Sequence, residues 1–294
     1  MLWACLQKLW PDLIRKPRRY QFFLSHDVDH PFSHDGSPKT VVKALLRAVI
    51  KDAIQAKDLE LASRRIQSLF SRERDINNTF HFLMRTSERH GVKSAFYFIA
   101  GRTAGPIDGY YSLSDPWIHR LMREIHARGH EIGLHPSYNT YQNPEALQRE
   151  FQTLRSVCEQ LEIPLERWGG RQHYLRWSAP LTWKLWDDAG LAYDSTGSYA
   201  DHTGFRMGTC YDFPVFDLRA RTQLRLIERP LIAMDVTLLG PMNVRGEAAF
   251  AEIKRLKERC GRFEGIFSLL WHNSSLASKQ DKQFYERVIA SCAP

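Results

Sequence analysis

The chain has 294 residues, 43% of them apolar and 12% aromatic, which is enough to bury the core of one α/β barrel-sized domain. Its 41 Lys and Arg against 33 Asp and Glu give a formal charge of +8, densest at Arg15, Lys16, Arg18 and Arg19. That balance suits a polyanionic partner, an anionic membrane surface or a merely solvated face, and nucleic acid is not expected. Five cysteines (Cys5, Cys158, Cys210, Cys260 and Cys292) lie far apart without a CxxC pair, which excludes a complete disulfide framework and reads as reduced thiols.

From the amino terminus, Met1 to Trp10 is apolar but short, lacks a charged lead-in and is broken by Pro11 and Asp12. Neither a signal peptide nor a membrane span is expected, so a cytoplasmic protein is. At most, Leu2, Trp3, Leu6 and Trp10 beside the basic cluster make a weak interfacial anchor, against which stands ordinary packing on the domain. Residues 1–19 are set apart as an N-terminal segment and 20–294 as a single domain.

A first strand, Tyr20 to Leu24, closes in Ser25-His26-Asp27-Val28-Asp29-His30. Residues 31–78 form a charged insertion suited to a lid or an oligomer contact, with a long helix-prone stretch from Lys39 to Ser71. A helix from Thr79 to His90 ends at Gly91, and Ser94 to Ile99 is the next strand. Ser114-Asp115-Pro116 starts a helix with Ile118, Leu121, Met122 and Ile125 on one face, and His130 to Leu134 is a strand ending at His135. Asn143-Pro144 opens a further helix, Arg167 to Gly170 is a short strand running into Arg171, and a helix over 179–189 closes at Gly190. Strands follow at 191–194, 213–216, 224–228 and 232–236. A helix over 246–259, a strand over 265–271 and a helix over 281–291 complete the chain. This alternation predicts a distorted (β/α) barrel of seven to eight parallel strands.

The unusual polar residues collect just after strands: Asp27, Asp29, His135, Arg171 to Tyr174, Asp194, Asp235 and His272. In such a barrel those strand ends meet at one face. Asp27 and Asp29, two apart on an extended segment, point the same way. A metal-assisted hydrolase needs one carboxylate as ligand and one as base toward water, plus an imidazole to protonate a leaving amine. A D-x-D alone is equally a solvated turn or a helix cap.

Together these segments, over roughly 20–273, resemble the NodB-homology family of polysaccharide deacetylases. Ser25-His26-Asp27-Val28-Asp29 resembles its first motif, which implies Asp27 as general base and Asp29 as metal ligand. Gly129-His130-Glu131-Ile132-Gly133-Leu134-His135 is similar to the second, which implies His135 as ligand and leaves His130 structural. Arg171-Gln172-His173-Tyr174-Leu175-Arg176-Trp177 echoes the third, so that Arg171 would pair with Asp27 and the Tyr174 N–H would meet a developing oxyanion. Asp194-Ser195-Thr196-Gly197-Ser198-Tyr199 resembles the fourth, which lines the acyl pocket, and Leu269-Leu270-Trp271-His272 the fifth, making His272 the general acid. The resemblance implies a divalent ion, zinc foremost, with cobalt, nickel or manganese as alternatives.

The likeness breaks at His135-Pro136-Ser137-Tyr138-Asn139, where the family's second histidine is Asn139, a weak ligand acceptable only to harder ions. The ion is then held by Asp29, His135 and a third group, held weakly, or absent. His173 is the candidate replacement, or else a substrate contact. His30 and His34 lie in loops less suited to fixed geometry. Asp235 either orients His272 or caps a loop. Tyr138, Tyr141, Trp177 and Tyr199 are candidates to stack on sugar, or are rim packing.

The expected activity is removal of an acetyl or formyl group from an amino sugar of a surface polysaccharide, or from its nucleotide-linked or lipid-linked precursor. The rivals are a non-catalytic glycan-binding protein and a C–N hydrolase acting on a non-sugar amide.

Overall fold

The computed structural model describes residues 2–14, 17–34, 37–55 and 58–294, so that Arg15 and Lys16 of the basic cluster lie outside the described residues. In chain order the elements are α1 (Leu2–Leu9), β1 (Gln21–Val28), α2 (Pro38–Ile50), α3 (Leu59–Ser68), α4 (Phe80–Arg89), β2 (Ser94–Phe98), α5 (Pro116–Ala127) and β3 (Glu131–Leu134). They continue as α6 (Pro144–Gln160), β4 (Gly169–Gly170), α7 (Leu181–Ala189), β5 (Tyr193–Asp194), β6 (Phe213–Asp217) and β7 (Thr222–Glu228). The last are β8 (Ala233–Met234), α8 (Asp235–Leu239), α9 (Gly246–Arg262), β9 (Ile266–Leu270) and α10 (Lys279–Cys292).

Nine strands form one curled sheet in the order β6-β7-β5-β4-β3-β2-β1-β9-β8. This is the expected distorted (β/α) barrel, left open between β6 and β8. The expectation of only parallel strands needs one correction, because β6 and β7 run antiparallel. Asp217 accepts hydrogen bonds from the Arg219 and Ala220 N–H groups, closing a tight turn that leaves no chain for a crossover helix.

Side-chain alternation divides the sheet into two faces. On β2, Phe96 and Phe98 join the main core under the helices, with Leu121 and Ile125 of α5 and Leu147 and Leu154 of α6. Ala95 and Tyr97 point to the other face, where they meet Tyr193 and are flanked by Phe23 and Ile227. Strand glycines make room there: a Cβ on Gly169 would stand 1.9 Å from the Tyr193 ring, and one on Gly133 2.6 Å from the Tyr97 ring. The two tyrosine hydroxyls are hydrogen-bonded at 2.8 Å.

Asp115 and Asn143 cap α5 and α6 as their sequences require, each accepting from a backbone N–H of its first turn at 2.9 Å. The helix-prone stretch over 39–71 holds two helices, α2 and α3. A π-helical turn, Lys51–Gln55, follows α2, and α3 starts afresh because the Asp58 side chain accepts from the Leu61 N–H at 2.8 Å. A capped start breaks an otherwise continuous helical pattern. Among the described residues, no helix is long and apolar enough to cross a membrane.

Candidate metal-binding hydrolytic site

β1 brings Ser25 and Asp27 to the inner face, in register with Ala95 and Tyr97 of β2. Arg171, directly after β4, is wholly buried against them. It gives Nη1 to Asp27 Oδ1 at 2.8 Å, Nη2 to the Ser25 and Ser195 hydroxyls at 3.0 Å and Nε to the Ser195 carbonyl at 2.9 Å. With four of its five N–H donors engaged, Arg171 fixes Asp27 Oδ1 and leaves Oδ2 toward the cavity. Oδ2 lies 3.7 Å from His135 Nε2.

Asp29 stands one step further out, among three imidazoles. His135 Nε2 is 3.1 Å and His173 Nε2 3.8 Å from its Oδ1, and His272 Nε2 is 3.5 Å from its Oδ2. Burial disfavours charge on the Asp29 carboxyl, but these imidazoles outweigh it and hold the group well below the usual carboxylate range. His135 moves the other way: burial opposes its protonation, and the Asp27 and Asp29 carboxylates overcome this and raise its pKa.

Each histidine is oriented through its other ring nitrogen. His135 Nδ1 faces the Arg171 carbonyl, which can only accept, so the hydrogen is on Nδ1 and the Nε2 lone pair points at Asp29. His173 Nδ1 lies 2.9 Å from Asp108 Oδ1, which likewise leaves Nε2 toward Asp29. Asp29 Oδ1 is buried and receives no hydrogen bond. With both rings neutral, Asp29, His135 and His173 each offer one ligand atom, and these atoms all lie within 4.8 Å of one another. This donor set suits a borderline divalent ion, and the orphaned carboxylate oxygen is what such an ion would satisfy.

His272, just after β9, is held by Asp235, which starts α8. Asp235 Oδ1 lies 2.7 Å from His272 Nδ1, and Oδ2 accepts the His272 backbone N–H at 2.9 Å. Desolvation works against a charged His272, but Asp235 first and then Asp29 and Asp27 reverse this, so its pKa is pushed up to about 10. At neutral pH it is a proton donor whose Nε2 faces the cavity. Asp235 is therefore not placed against substrate. It is fully buried and acts through His272.

The cavity holds about 400 Å³ and is lined by Asp27, Asp29, His135, His173 and His272, with an apolar side of Ile107, Leu175, Met234, Val236 and Pro241. Tyr174 and Leu175 both take left-handed backbone conformations, φ 58° and 53°, which turn this segment sharply at the rim. Gln172 ties it to the preceding loop, giving Nε2 to the carbonyls of Pro136 and Ser137 and to Thr140 Oγ1.

Several other residues named from the sequence sit elsewhere. Asn139 is not turned to the ion position: Oδ1 accepts from Arg176 at 2.8 Å and Nδ2 donates to the Thr103 carbonyl at 3.0 Å. The Arg176 guanidinium also lies 4.0 Å over each of the Tyr138 and Tyr141 rings. Trp177 packs edge-on against Trp183 and Tyr199 stacks on His202, and neither lines the cavity. Asp194 is fully buried, with Oδ1 accepting the Thr196 N–H and hydroxyl, so it supports the rim from behind. His130 and His26 are structural: the first joins the Ser94 N–H to Glu88, and the second meets the Trp271 carbonyl at 2.7 Å.

Asp108 was not legible as a functional residue. It accepts from the Tyr138 and Ala104 N–H groups at 2.7 Å as well as holding His173, and it belongs to the short turn Gly105–Asp108 after β2. The apolar lining was missed too. Its only signal was position at a strand end, where Met234 closes β8 and Val236 follows Asp235.

No family model and no curated protein matches the chain. Solved structures do. One described as a polysaccharide deacetylase from Mycobacterium smegmatis superposes with a TM-score of 0.58 and 16% identity, covering 96% of this chain and 86% of that one. The Puue allantoinase gives 0.54 and 11%, covering 94% and 87%, and a polysaccharide deacetylase-type structure from Pseudomonas aeruginosa PAO1 gives 0.53 and 13%, covering 92% and 84%. At these identities the likeness establishes the shared fold over nearly the whole chain, in agreement with the architecture the motifs implied.

Proposed function

We propose that this chain is a metal-dependent hydrolase that removes an acyl group, acetyl foremost and formyl as the alternative, from the nitrogen of an amino sugar. The observation that carries the reading is the grouping of Asp29, His135 and His173 within reach of one ion, with Asp27 on one side and His272, held by Asp235, on the other. The fold shared with structures described as polysaccharide deacetylases supports the sugar, and the allantoinase supports C–N hydrolysis in general.

Asp29 Oδ1, His135 Nε2 and His173 Nε2 would hold the ion, which when bound supplies a Lewis acid and lowers the pKa of water. Asp27, pinned through Oδ1 by Arg171, takes the proton of the attacking water on Oδ2. The Tyr174 backbone is the candidate oxyanion donor. His272, held by Asp235, delivers a proton from Nε2 to the departing amine, which could not leave as an amide anion. Leu175, Met234 and Val236 offer an apolar wall for a small acyl group.

Acetate or formate release from acylated amino sugars, measured beside metal content by mass spectrometry, tests the reading. Turnover that appears with zinc, cobalt, nickel or manganese and vanishes on chelation is expected. A protein that takes up no divalent ion and releases no acid while still binding glycan would be a lectin-like relative instead.

A further inference from the structure

The end of the barrel opposite the hydrolytic site carries an organised surface of its own. β1 and β9 run parallel and start together, with Gln21 beside Ile266, so the chain just before Gln21 lies about 20 Å along the strand from Asp27. A cavity of about 500 Å³ opens there, with Phe205, Cys210, Tyr211, Arg259, Arg262 and Phe263 in its wall, and among the described residues no carboxylate borders it. Arg259 and Arg262 come from the last turn of α9, and the Arg18 guanidinium lies 3.8 Å over the Tyr211 ring. Lys257 adds a further cation above the Tyr20 ring. Among the described residues Arg18, Arg259 and Arg262 form no ion pair, whereas Arg229, Arg255 and Arg287 do. Guanidinium groups gathered without a counter-charge suit an anion such as a phosphate group.

The chain leading into this end supplies apolar surface. Trp3, Leu6 and Leu9 of α1, with Trp10 just after it, recur at spacings of three and four and so share one side of the helix, with Lys8 on the other. Trp10 is 57% and Ile14 89% exposed, and Leu9 and Leu13 are also open to solvent. No described helix is long and apolar enough to cross a bilayer, but a stripe of this kind lies in its interface. Arg15, Lys16, Arg18 and Arg19 follow the stripe in sequence, with Asp12 as the one acidic residue between Met1 and Tyr20.

We propose that this end of the barrel docks on an anionic lipid bilayer, with the α1 stripe lying at the boundary of headgroups and acyl chains and Arg18, Arg259 and Arg262 holding a lipid phosphate. A short apolar helix or a basic patch alone binds a membrane weakly, and the two together bind it stably. Docked in this way, the protein turns the cavity over Asp29 away from the lipid.

The test mixes the full chain with vesicles of phosphatidylcholine alone, or with about one-third phosphatidylglycerol, and reads the bound share by sedimentation. Anionic vesicles should bind the protein, neutral ones should not, and raising the salt from about 50 to about 500 mM should release it. Trp10→Ser combined with Ile14→Ser should weaken binding to anionic vesicles by about tenfold or more, and Arg259→Ser combined with Arg262→Ser by a similar factor. Both double variants should keep the wild-type circular dichroism spectrum and thermal midpoint, which separates lost docking from lost folding. Equal binding to neutral and anionic vesicles, binding to neither, or folded variants that bind like wild type would overturn the proposal. A protein that ignores vesicles but binds inorganic phosphate through Arg259 and Arg262 would make the ligand a soluble anion. One that ignores vesicles and forms a dimer dissolved by Trp10→Ser, seen by light scattering, would make a second copy the cover of the stripe. None of these outcomes depends on the hydrolase reading.

Discussion

Two pairs of carboxylates sit at the strand ends of this barrel, and they are treated in opposite ways. Asp27 and Asp29, at the end of β1, are surrounded by Arg171, His135, His173 and His272, and both line an open cavity. Asp194 and Glu228, neighbours in register across β5 and β7, are sealed from solvent. Glu228 receives the Trp183 indole N–H and the Gly197 N–H, Asp194 receives Thr196, and the two carboxyls face each other. Burial raises the pKa of both, that of Asp194 to about 6. The same residue type, delivered to the same rim by the same strand logic, becomes the proposed ligand and base where imidazoles and a guanidinium converge, and a buried carboxyl pair of raised pKa where they do not.

Removing the cations' target should have the largest effect. Asp29→Ala is expected to weaken metal binding by more than about a hundredfold, whereas Asp27→Asn should keep the ion and lose about 10² to 10⁴ in turnover. Metal titrations of both variants read this directly, and equal metal loss in the two would erase the distinction drawn between the paired aspartates. Next comes the orientation of the third ligand: His173→Ala, and to a lesser degree Asp108→Asn, should weaken metal binding, the latter by about tenfold. An Asp108→Asn protein with wild-type affinity would show that His173 does not need its partner.

Metal affinity should also depend on pH. His135 must lose its proton to bind an ion, and its raised pKa means that proton competes through and above the ordinary imidazole range. Affinity is expected to tighten steadily as pH rises from 6 to about 8, with proton release seen by calorimetry in buffers of different ionisation heat. A pH-independent affinity would place the ion on groups other than this imidazole.

For the buried carboxyl pair, the sign is reversed relative to an ion-paired acid. Folded-state pKa values raised above the unfolded ones favour the protonated form. The stability they give is complete below the ordinary carboxyl range and is lost as pH climbs through about 6. Glu228→Gln supplies a permanent N–H in place of the carboxyl proton. It should flatten the fall in thermal midpoint between roughly pH 5 and 7 by a few degrees, about 2–4 °C per kcal/mol for a chain approaching this size. The smallest effect belongs to Asn139→Ala, whose amide serves Thr103 and Arg176, and no change in metal affinity is expected there.

How much of this was readable beforehand follows from the distance over which each contact acts. Asp27, Asp29, His135, Arg171 and His272 each end a strand or follow one directly, so hydrophobic pattern and turn chemistry located them. Their meeting needed only the barrel. The bond between Asp108 and His173 joins residues 65 apart, in two loops with no shared motif, and only packing reveals it. Trp177 and Tyr199 carried the residue types of a sugar platform, but the Arg206 guanidinium lies 5.3 Å and 5.8 Å from their rings and they pack along the rim. The antiparallel β6 and β7 escaped because strand alternation does not encode direction; Asp217 and the turn after it did.

The turn after β2 has a further bearing on how such a protein can change. Within four consecutive residues, Ile107 borders the cavity over Asp29, Asp108 holds His173, Gly109 abuts the Asp29 carbonyl and Tyr110 walls a second cavity of about 240 Å³. Lengthening or stiffening this turn would reshape both cavities and move the partner of His173 at once, so the form of the pockets and the setting of the proposed ligand are inherited together.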